Sequence, residues 1–196
     1  MKILAFSDLH LDTGAADRLL AMAADADLVL GAGDFADRHM GLADFMDRLE
    51  PIAGKAVYVP GNNESVEALR GATSATVLHG QSVERGGLTI LGLGAGIPPL
   101  GTKDWESWDL GESAAETLLA PFEGCDILLT HSPPQGIADE HSELGPLGSE
   151  ALRRAAERLA PRLMVFGHVH DCWGQGGTIG ETRCRNLGPE GWWAEP

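Results

Sequence analysis

The stretch Leu163-Met164-Val165-Phe166-Gly167-His168-Val169-His170 decides how this chain is read. Four apolar residues in a row mark a buried strand, and the glycine after them marks its end. Two histidines follow, two positions apart. In extended backbone, residues i and i+2 point to the same side, so both imidazoles leave the strand end together, as a pair of metal ligands would. A His-x-His pair is also ordinary polar loop sequence. Its weight comes from four other strand ends that finish in the same kind of residue.

Residues 2–7 (KILAFS) read as a first buried strand that gives way to Asp8-Leu9-His10, again two donors two positions apart. Thr13 is the expected N-cap of an Ala-rich helix with Leu19, Leu20, Met22 and Ala23 on one stripe. Residues 27–30 form the second strand, running into Gly31-Ala32-Gly33-Asp34-Phe35-Ala36-Asp37. A second helix covers 42–49, with Leu42, Phe45, Met46 and Leu49 on one face and Pro51 and Gly54 ending it. Residues 56–59 are a third strand, closed by Pro60-Gly61-Asn62-Asn63-Glu64, and a short helix follows over 65–70. Strand, helix, strand, helix, strand is the βαβ order of a largely parallel sheet.

The middle of the chain changes character. Short strands at 75–78, 82–85 and 88–93, with Gly86-Gly87 as a hairpin turn, predict antiparallel strands on a mixed or second sheet. A long loop over 94–109 carries Pro98, Pro99, Trp105 and Trp108. A helix over 113–119 leads to a strand over 126–130 that ends in His131-Ser132-Pro133-Pro134. After a second long loop, Ser149 caps an amphipathic helix with Leu152, Ala155, Ala156 and Leu159 inside. The tail, 176–189, reads as two strands with a turn near Gly180. Nothing splits the chain, so 1–196 is expected to be a single domain.

Composition narrows the function. The 43% hydrophobic and 22% charged residues are those of a soluble globular protein, and the 26 glycines, roughly twice the usual share, mean many tight loops. A formal charge of −15 repels a phosphate backbone, which disfavours nucleic-acid partners and fits carboxylates that need cations. The three cysteines, Cys125, Cys172 and Cys184, have no CxxC spacing, so neither a disulfide framework nor a zinc knuckle is expected. Residues 1–6 are too short for a signal core and no apolar run approaches a membrane span, so a cytoplasmic chain without membrane contact is expected.

In open α/β sheets, ligands bind beyond the carboxyl ends of the strands. Five predicted strands end with Asp8/His10, Asp34, Asn62, His131 and His168/His170. These seven residues exceed what one tetrahedral zinc needs and fit two adjacent ions sharing a carboxylate. Mixed His, Asp and Asn donors suit Mn²⁺, Fe²⁺, Co²⁺, Ni²⁺ or Zn²⁺ and suit Ca²⁺ poorly. Two dications balanced by Asp8, Asp34 and a hydroxide leave one positive charge facing an anionic substrate. Such two-metal sites, about 4 Å apart, activate water for in-line displacement at phosphorus.

The motifs D-x-H, GD-x-x-D, GN-x-E, H-S-P-P and GH-x-H, in that order from Asp8 to His170, resemble the calcineurin-like metallophosphoesterase superfamily. Asn186-Leu187-Gly188-Pro189 and the loop from His131 to Arg153 resemble its small phosphodiesterase-like branch of bacterial and archaeal members. The resemblance implies an α/β fold, a two-sheet mixed β-sandwich flanked by helices. It implies that Asp8, His10 and His170 hold one metal, that Asn62, His131 and His168 hold the other, and that Asp34 bridges them. Asp34, Asn62 and His168 are the residues expected to carry catalysis, and a hydroxide between the metals would be the nucleophile. The expected activity is dinuclear-metal-dependent hydrolysis of a small-molecule phosphoester, most readily a phosphodiester. A phosphomonoesterase or protein phosphatase is the alternative among enzymes, and a metal-poor interaction scaffold the alternative outside them. The oligomeric state stays open.

One departure matters. Many members of the superfamily have histidine after the asparagine, and use it to protonate the leaving oxygen or stabilise the transition state; here the residue is Asn63. An amide donates hydrogen bonds but is no general acid near neutral pH, so activated esters should be cut far better than alkyl monoesters. His141, in the loop after His131, is the nearest replacement. Asp37 reads equally as a partner of a ligand histidine or as a turn cap. Glu64 reads as a first-turn carboxylate of the short helix. Trp105 and Trp108 read as cleft walls or as loop anchors, and Arg153 and Arg154 as a solvated helix face. Trp192 and Trp193 read as exposed tail aromatics. His39 and His79 carry no assignment.

Overall fold

A computed structural model of the chain describes residues 1–101 and 105–195; residues 102–104 of the predicted 94–109 loop, and residue 196, lie outside it. The first half runs β1 (Ile3–Phe6), α1 (Thr13–Ala23), β2 (Leu28–Gly31), α2 (Leu42–Leu49), a 3-10 turn (Glu50–Lys55), β3 (Ala56–Tyr58), α3 (Val66–Ala72) and β4 (Thr76–Val77). The hairpin β5 (Gln81–Arg85) and β6 (Leu88–Leu93) follows, then α4 (Glu112–Leu119) and β7 (Ile127–Thr130). A two-strand ribbon, β8 (Glu140–His141) and β9 (Gly145–Pro146), precedes α5 (Glu150–Leu159) and β10 (Leu163–Phe166). A 3-10 turn (His170–Cys172), β11 (Gly176–Ile179), β12 (Thr182–Asn186) and β13 (Trp192–Ala194) complete the order.

Two large mixed sheets result, ordered β13-β1-β2-β3-β4 and β11-β12-β10-β7-β6-β5. In the first, β1 to β4 run parallel and β13 antiparallel to β1. In the second, β6, β7, β10 and β12 run parallel, with β5 and β11 antiparallel at the edges. The two-residue period of a strand explains how the layers form. Ile3 and Ala5 of β1 face Ile127, Leu129, Leu163 and Val165 of the other sheet in a shared inner layer. Leu4 and Phe6 face outward onto Leu19, Phe45 and Met46 of α1 and α2. On the far side, Leu128, Met164 and Phe166 pack against Leu119, Leu152 and Leu159 of α4 and α5. Strands buried on both faces need continuous apolar runs, and this is why the sequence reads so clearly there. The result is the expected α/β architecture of two mixed sheets flanked by helices.

Three details depart from the sequence reading. Asp12, not Thr13, caps α1: its Oδ1 accepts from Ala15 N at 3.0 Å. Trp192 and Trp193 belong to an edge strand, not to a tail, with Trp193 opposite Leu4. The Arg183 and Arg185 guanidiniums lie 5.3 and 5.5 Å from the centre of the Trp192 ring, which packs against the inner layer. The loop after His131 contains the β8–β9 ribbon, which the sequence did not announce. Gly86 and Gly87 do form the predicted turn, both with positive φ (55° and 80°), as a type I′ hairpin requires. Ser149 caps α5 as expected, its Oγ accepting from Leu152 N at 3.1 Å.

Candidate metal centre

The seven residues marked in the sequence follow the carboxyl ends of β1 (Asp8, His10), β2 (Asp34), β3 (Asn62), β7 (His131) and β10 (His168, His170). The fold brings all of them to one edge of the sandwich. His10 Nε2 lies 3.3 Å from His170 Nε2 and 3.4 Å from Asp34 Oδ2. His170 Nε2 is 3.8 Å from Asp8 Oδ1. On the other side of Asp34, His131 Nε2 stands 3.5 Å from Oδ1, 3.1 Å from Asn62 Oδ1 and 3.1 Å from His168 Nδ1. Two donors each about 2.1 Å from one cation, at angles between square and tetrahedral, are separated by about 3.0–3.4 Å. Most of these spacings fall at or near that range. The sets Asp8–His10–His170 and Asp8–Asp34–His131 each place their ligand atoms within 4.8 Å of one another. The donor set therefore fits divalent cations.

Each donor is held by the chain around it. His131 Nδ1 donates to Ala32 O at 2.7 Å, which leaves the Nε2 lone pair directed into the same space as the oxygens of Asp34 and Asn62, where all three could donate to a cation. Asn62 Nδ2 donates to Ser107 Oγ at 3.0 Å, and that hydroxyl donates to Asp109 Oδ1 at 2.7 Å, so the Asn62 carbonyl is turned inward. Asp8 Oδ2 accepts from Ser7 Oγ at 2.5 Å and from Trp173 Nε1 at 3.0 Å, while Oδ1 accepts from His168 N at 3.0 Å. Asp34 accepts from Asn63 twice, backbone N to Oδ1 at 2.9 Å and side-chain Nδ2 to Oδ2 at 2.8 Å. Asn63 Oδ1 in turn accepts from Arg38 N at 2.8 Å. The Asn63 amide is thus committed to the loop beneath the site.

Glu64 is neither first-turn ornament nor base. It is buried, and its two oxygens accept four backbone N–H groups: Asp34 (2.9 Å) and Gly61 (2.6 Å) on Oε1, Phe35 (3.1 Å) and Ala36 (3.0 Å) on Oε2. This one side chain fastens the loop after β2 to the loop after β3. Behind it, Phe35 packs on Phe6 and Tyr58 at ring-centre distances of 6.1 and 5.0 Å. Gly61 must lack a side chain, since a Cβ there would overlap Asp34. Asp8 (φ 55°), His10 (41°), Asp34 (57°) and His168 (71°) all adopt left-handed backbone, at a cost of about 1–3 kcal/mol each. Backbone bonds hold that strain in place: Asp8 N to Gly33 O at 2.9 Å and His10 N to Asp34 O at 3.0 Å.

Burial would raise the Asp34 carboxyl, but the imidazoles of His131, His10 and His168 outweigh it and bring the group down to about 2. Burial lowers His131, and the carboxylates of Asp34 and Asp8 overcome this and raise it. Burial and the neighbouring Asp34 push Glu64 up to about 7 against the pull of the Gly61 and Ala36 N–H groups.

A cleft of about 370 Å³ opens over the cluster. Its floor is His10, Asp34, Asn62, His168 and His170; its rim carries Trp105, Leu100, Leu144 and Leu147, with His141, Asp37, Arg38 and Asp171 between. The two tryptophans of the 94–109 loop divide their expected roles. Trp105 walls the cleft, its ring 5.8 Å from that of His39. Trp108 anchors the loop on the core, 5.0 Å from the His79 ring. Asp37 is exposed at a backbone turn closed with Met40. Arg153 and Arg154 pair with Glu157 and Glu150 one turn away on α5, as the solvated-face reading has it. Sequence reasoning missed Ser107, Asp109 and Trp173, for which spacing offered no signal. It named Glu64 with the wrong role.

Comparison with known proteins bears on the family and the fold. The sequence model of the calcineurin-like phosphoesterases matches residues 1–172. Human metallophosphoesterase domain-containing protein 1 is 32% identical over 125 residues, 59% of this chain and 35% of the human protein, so the match spans about a third of that relative. Among solved structures, the TT1561 protein of Thermus thermophilus superposes with a TM-score of 0.76 at 19% identity, covering 96% of this chain and 90% of that one. The phosphopantetheinyl hydrolase of Mycobacterium tuberculosis does so with a TM-score of 0.62 at 17% identity, covering 96% and 90%. At such identities the structures speak to the fold alone. With its family model matched over most of its length, the chain belongs to the calcineurin-like phosphoesterase family.

Proposed function

We propose that this protein is a metal-dependent phosphoric ester hydrolase acting on small phosphodiesters. Asp8, His10 and His170 would hold one divalent cation and Asn62, His131 and His168 a second, with the Asp34 carboxylate lying between the two sets. The observation that carries this reading is the convergence of seven N and O donors from five strand ends, most at the spacing of ligand edges. Mixed imidazole, carboxylate and amide donors favour Mn²⁺, Fe²⁺, Co²⁺, Ni²⁺ or Zn²⁺. When bound, such ions supply Lewis acidity toward a phosphoryl oxygen and a water nucleophile at neutral pH.

The residues of the chain do the positioning. Asp34 is held in its ionised form by the Asn63 backbone N–H on Oδ1 and the Asn63 side-chain amide on Oδ2. His131 keeps its Nε2 lone pair inward because Ala32 O takes the Nδ1 proton. Charge then sorts the substrates. Two dications, less the four carboxylates of Asp8, Asp34, Asp37 and Asp171 and one hydroxide, plus Arg38, leave the cleft near neutral, which accommodates a diester monoanion more readily than a monoester dianion. The apolar rim of Trp105, Leu100, Leu144 and Leu147 suits a substituent with an apolar body.

The test is chelation followed by reloading with Mn²⁺, with bound metal counted by elemental analysis and turnover compared on an aryl phosphodiester and the matching aryl monoester. Two ions per chain and faster diester cleavage are expected. A fully loaded protein that cleaves neither ester, or one that prefers the monoester, overturns the reading; failure to take up metal would identify a scaffold.

A further inference from the structure

We propose that His141 is a catalytic residue of this site, donating its Nε2 hydrogen in a hydrogen bond to the leaving-group oxygen. This rests on the hydrolase reading above. His141 lines the cleft together with His10, Asp34, Asn62, His168 and His170, and about a third of its side chain is open to solvent. Its other nitrogen is already used: Nδ1 accepts from Glu143 N at 3.1 Å and from Leu144 N at 3.3 Å. An imidazole whose Nδ1 accepts two backbone N–H groups carries its proton on Nε2. The tautomer is therefore set by the tip of the β8–β9 ribbon, and the remaining nitrogen is a donor.

The ribbon is tied to the segment that carries His168 and His170. Ser142 N donates to Asp171 Oδ2 at 2.8 Å, and Cys172 Sγ to Glu140 O at 3.3 Å. Leu147 N closes back on Asp139 O at 2.9 Å. The donor is thus fixed relative to the strand end beside it. The Asn63 amide is oriented below the cleft, its Nδ2 donating to Asp34 Oδ2 and its Oδ1 accepting from Arg38 N. In the step itself a water oxygen bonds to phosphorus while the bond from phosphorus to the leaving oxygen breaks. The electron pair of that bond goes to the leaving oxygen, which accepts the His141 hydrogen bond and takes its proton from solvent; the water proton is lost to solvent. Stabilisation of this kind grows with the charge on the leaving oxygen, so it acts most on poor leaving groups.

The experiment uses the Mn²⁺-loaded protein and a series of aryl phosphodiesters whose phenols span a range of acidity. For His141→Ala, kcat/KM should fall about 10²-fold on the least acidic phenol and only a few-fold on nitrophenol, steepening the dependence on leaving group. His141→Gln, which keeps an N–H donor, should recover part of the loss. Bound metal should match the unmutated protein in both variants. Equal losses across the series, unchanged rates, or loss of metal would overturn the role of His141. If the unmutated protein cleaves no diester at all, the hydrolase reading falls and this proposal with it; parallel slopes in an active protein would remove the proposal alone.

Discussion

Replacing Glu64 with glutamine keeps the shape of the side chain and removes one acceptor oxygen. The carboxylate now receives four backbone N–H groups, two on each oxygen. An amide has one oxygen, so whichever way it is turned its NH₂ faces two N–H donors in a buried site. Stranding two donors at about 1–3 kcal/mol each costs about 2–6 kcal/mol. For a chain of this size 1 kcal/mol moves Tm by about 2–4 °C, so Glu64→Gln should lower Tm by about 10 °C. The two loops carrying Asp34 and Asn62 should loosen together, and metal retention should fall with them. Calorimetric unfolding and elemental analysis of the same preparation measure both effects. An unchanged Tm with an undiminished metal load would show that the four N–H groups find other partners, and would refute the clamp.

Gly61→Ala and Gly71→Ala should move stability in opposite directions. A Cβ at Gly61 overlaps Asp34, which should cost at least about 1–3 kcal/mol and metal with it. A Cβ at Gly71, inside α3, meets nothing within 4 Å and should add about 0.5–1 kcal/mol, read as a rise in Tm. Trp173→Phe removes the N–H that Asp8 Oδ2 accepts, so a metal titration should show affinity weakened by about 10-fold or more. Asp34→Asn removes the carboxylate between the two donor groups; metal retained after gel filtration should fall at least about tenfold, and ester turnover should vanish with it.

What the sequence made legible was whatever its local pattern carried. Strands buried on both faces print as apolar runs, and an Asp, Asn or His at the end of each is visible without knowing how the strands pair. The roles of Glu64 and Ser107 were not visible in this way. Glu64 acts through the N–H groups of residues about thirty positions earlier, and Ser107 through an amide forty-five positions earlier. Any residue type supplies a backbone N–H, so spacing carries no trace of such a bond. β13 was misread because Trp192-Trp193 follows a Pro and Gly-rich turn, and only its pairing to β1, at the other end of the chain, makes it a strand. Asp12 and Thr13 both suit an N-cap; the side chain that reaches Ala15 N is the earlier one. Trp105 and Trp108 sit in one loop, and only packing separates the cleft wall from the anchor.

The donors are divided between the two layers: Asp8, His10, Asp34 and Asn62 follow strands of one sheet, and His131, His168 and His170 follow strands of the other. Several of the close spacings, His10 to His170 and Asn62 to His131 among them, bridge the seam. The cluster is therefore a gauge of how the halves of the sandwich are registered. A slip of an ångström between the halves would disturb the bridging pairs while leaving His10–Asp34 and His131–His168 intact. Activity would then fade through misalignment well before cooperative unfolding, from changes made deep in the inner layer and far from any donor.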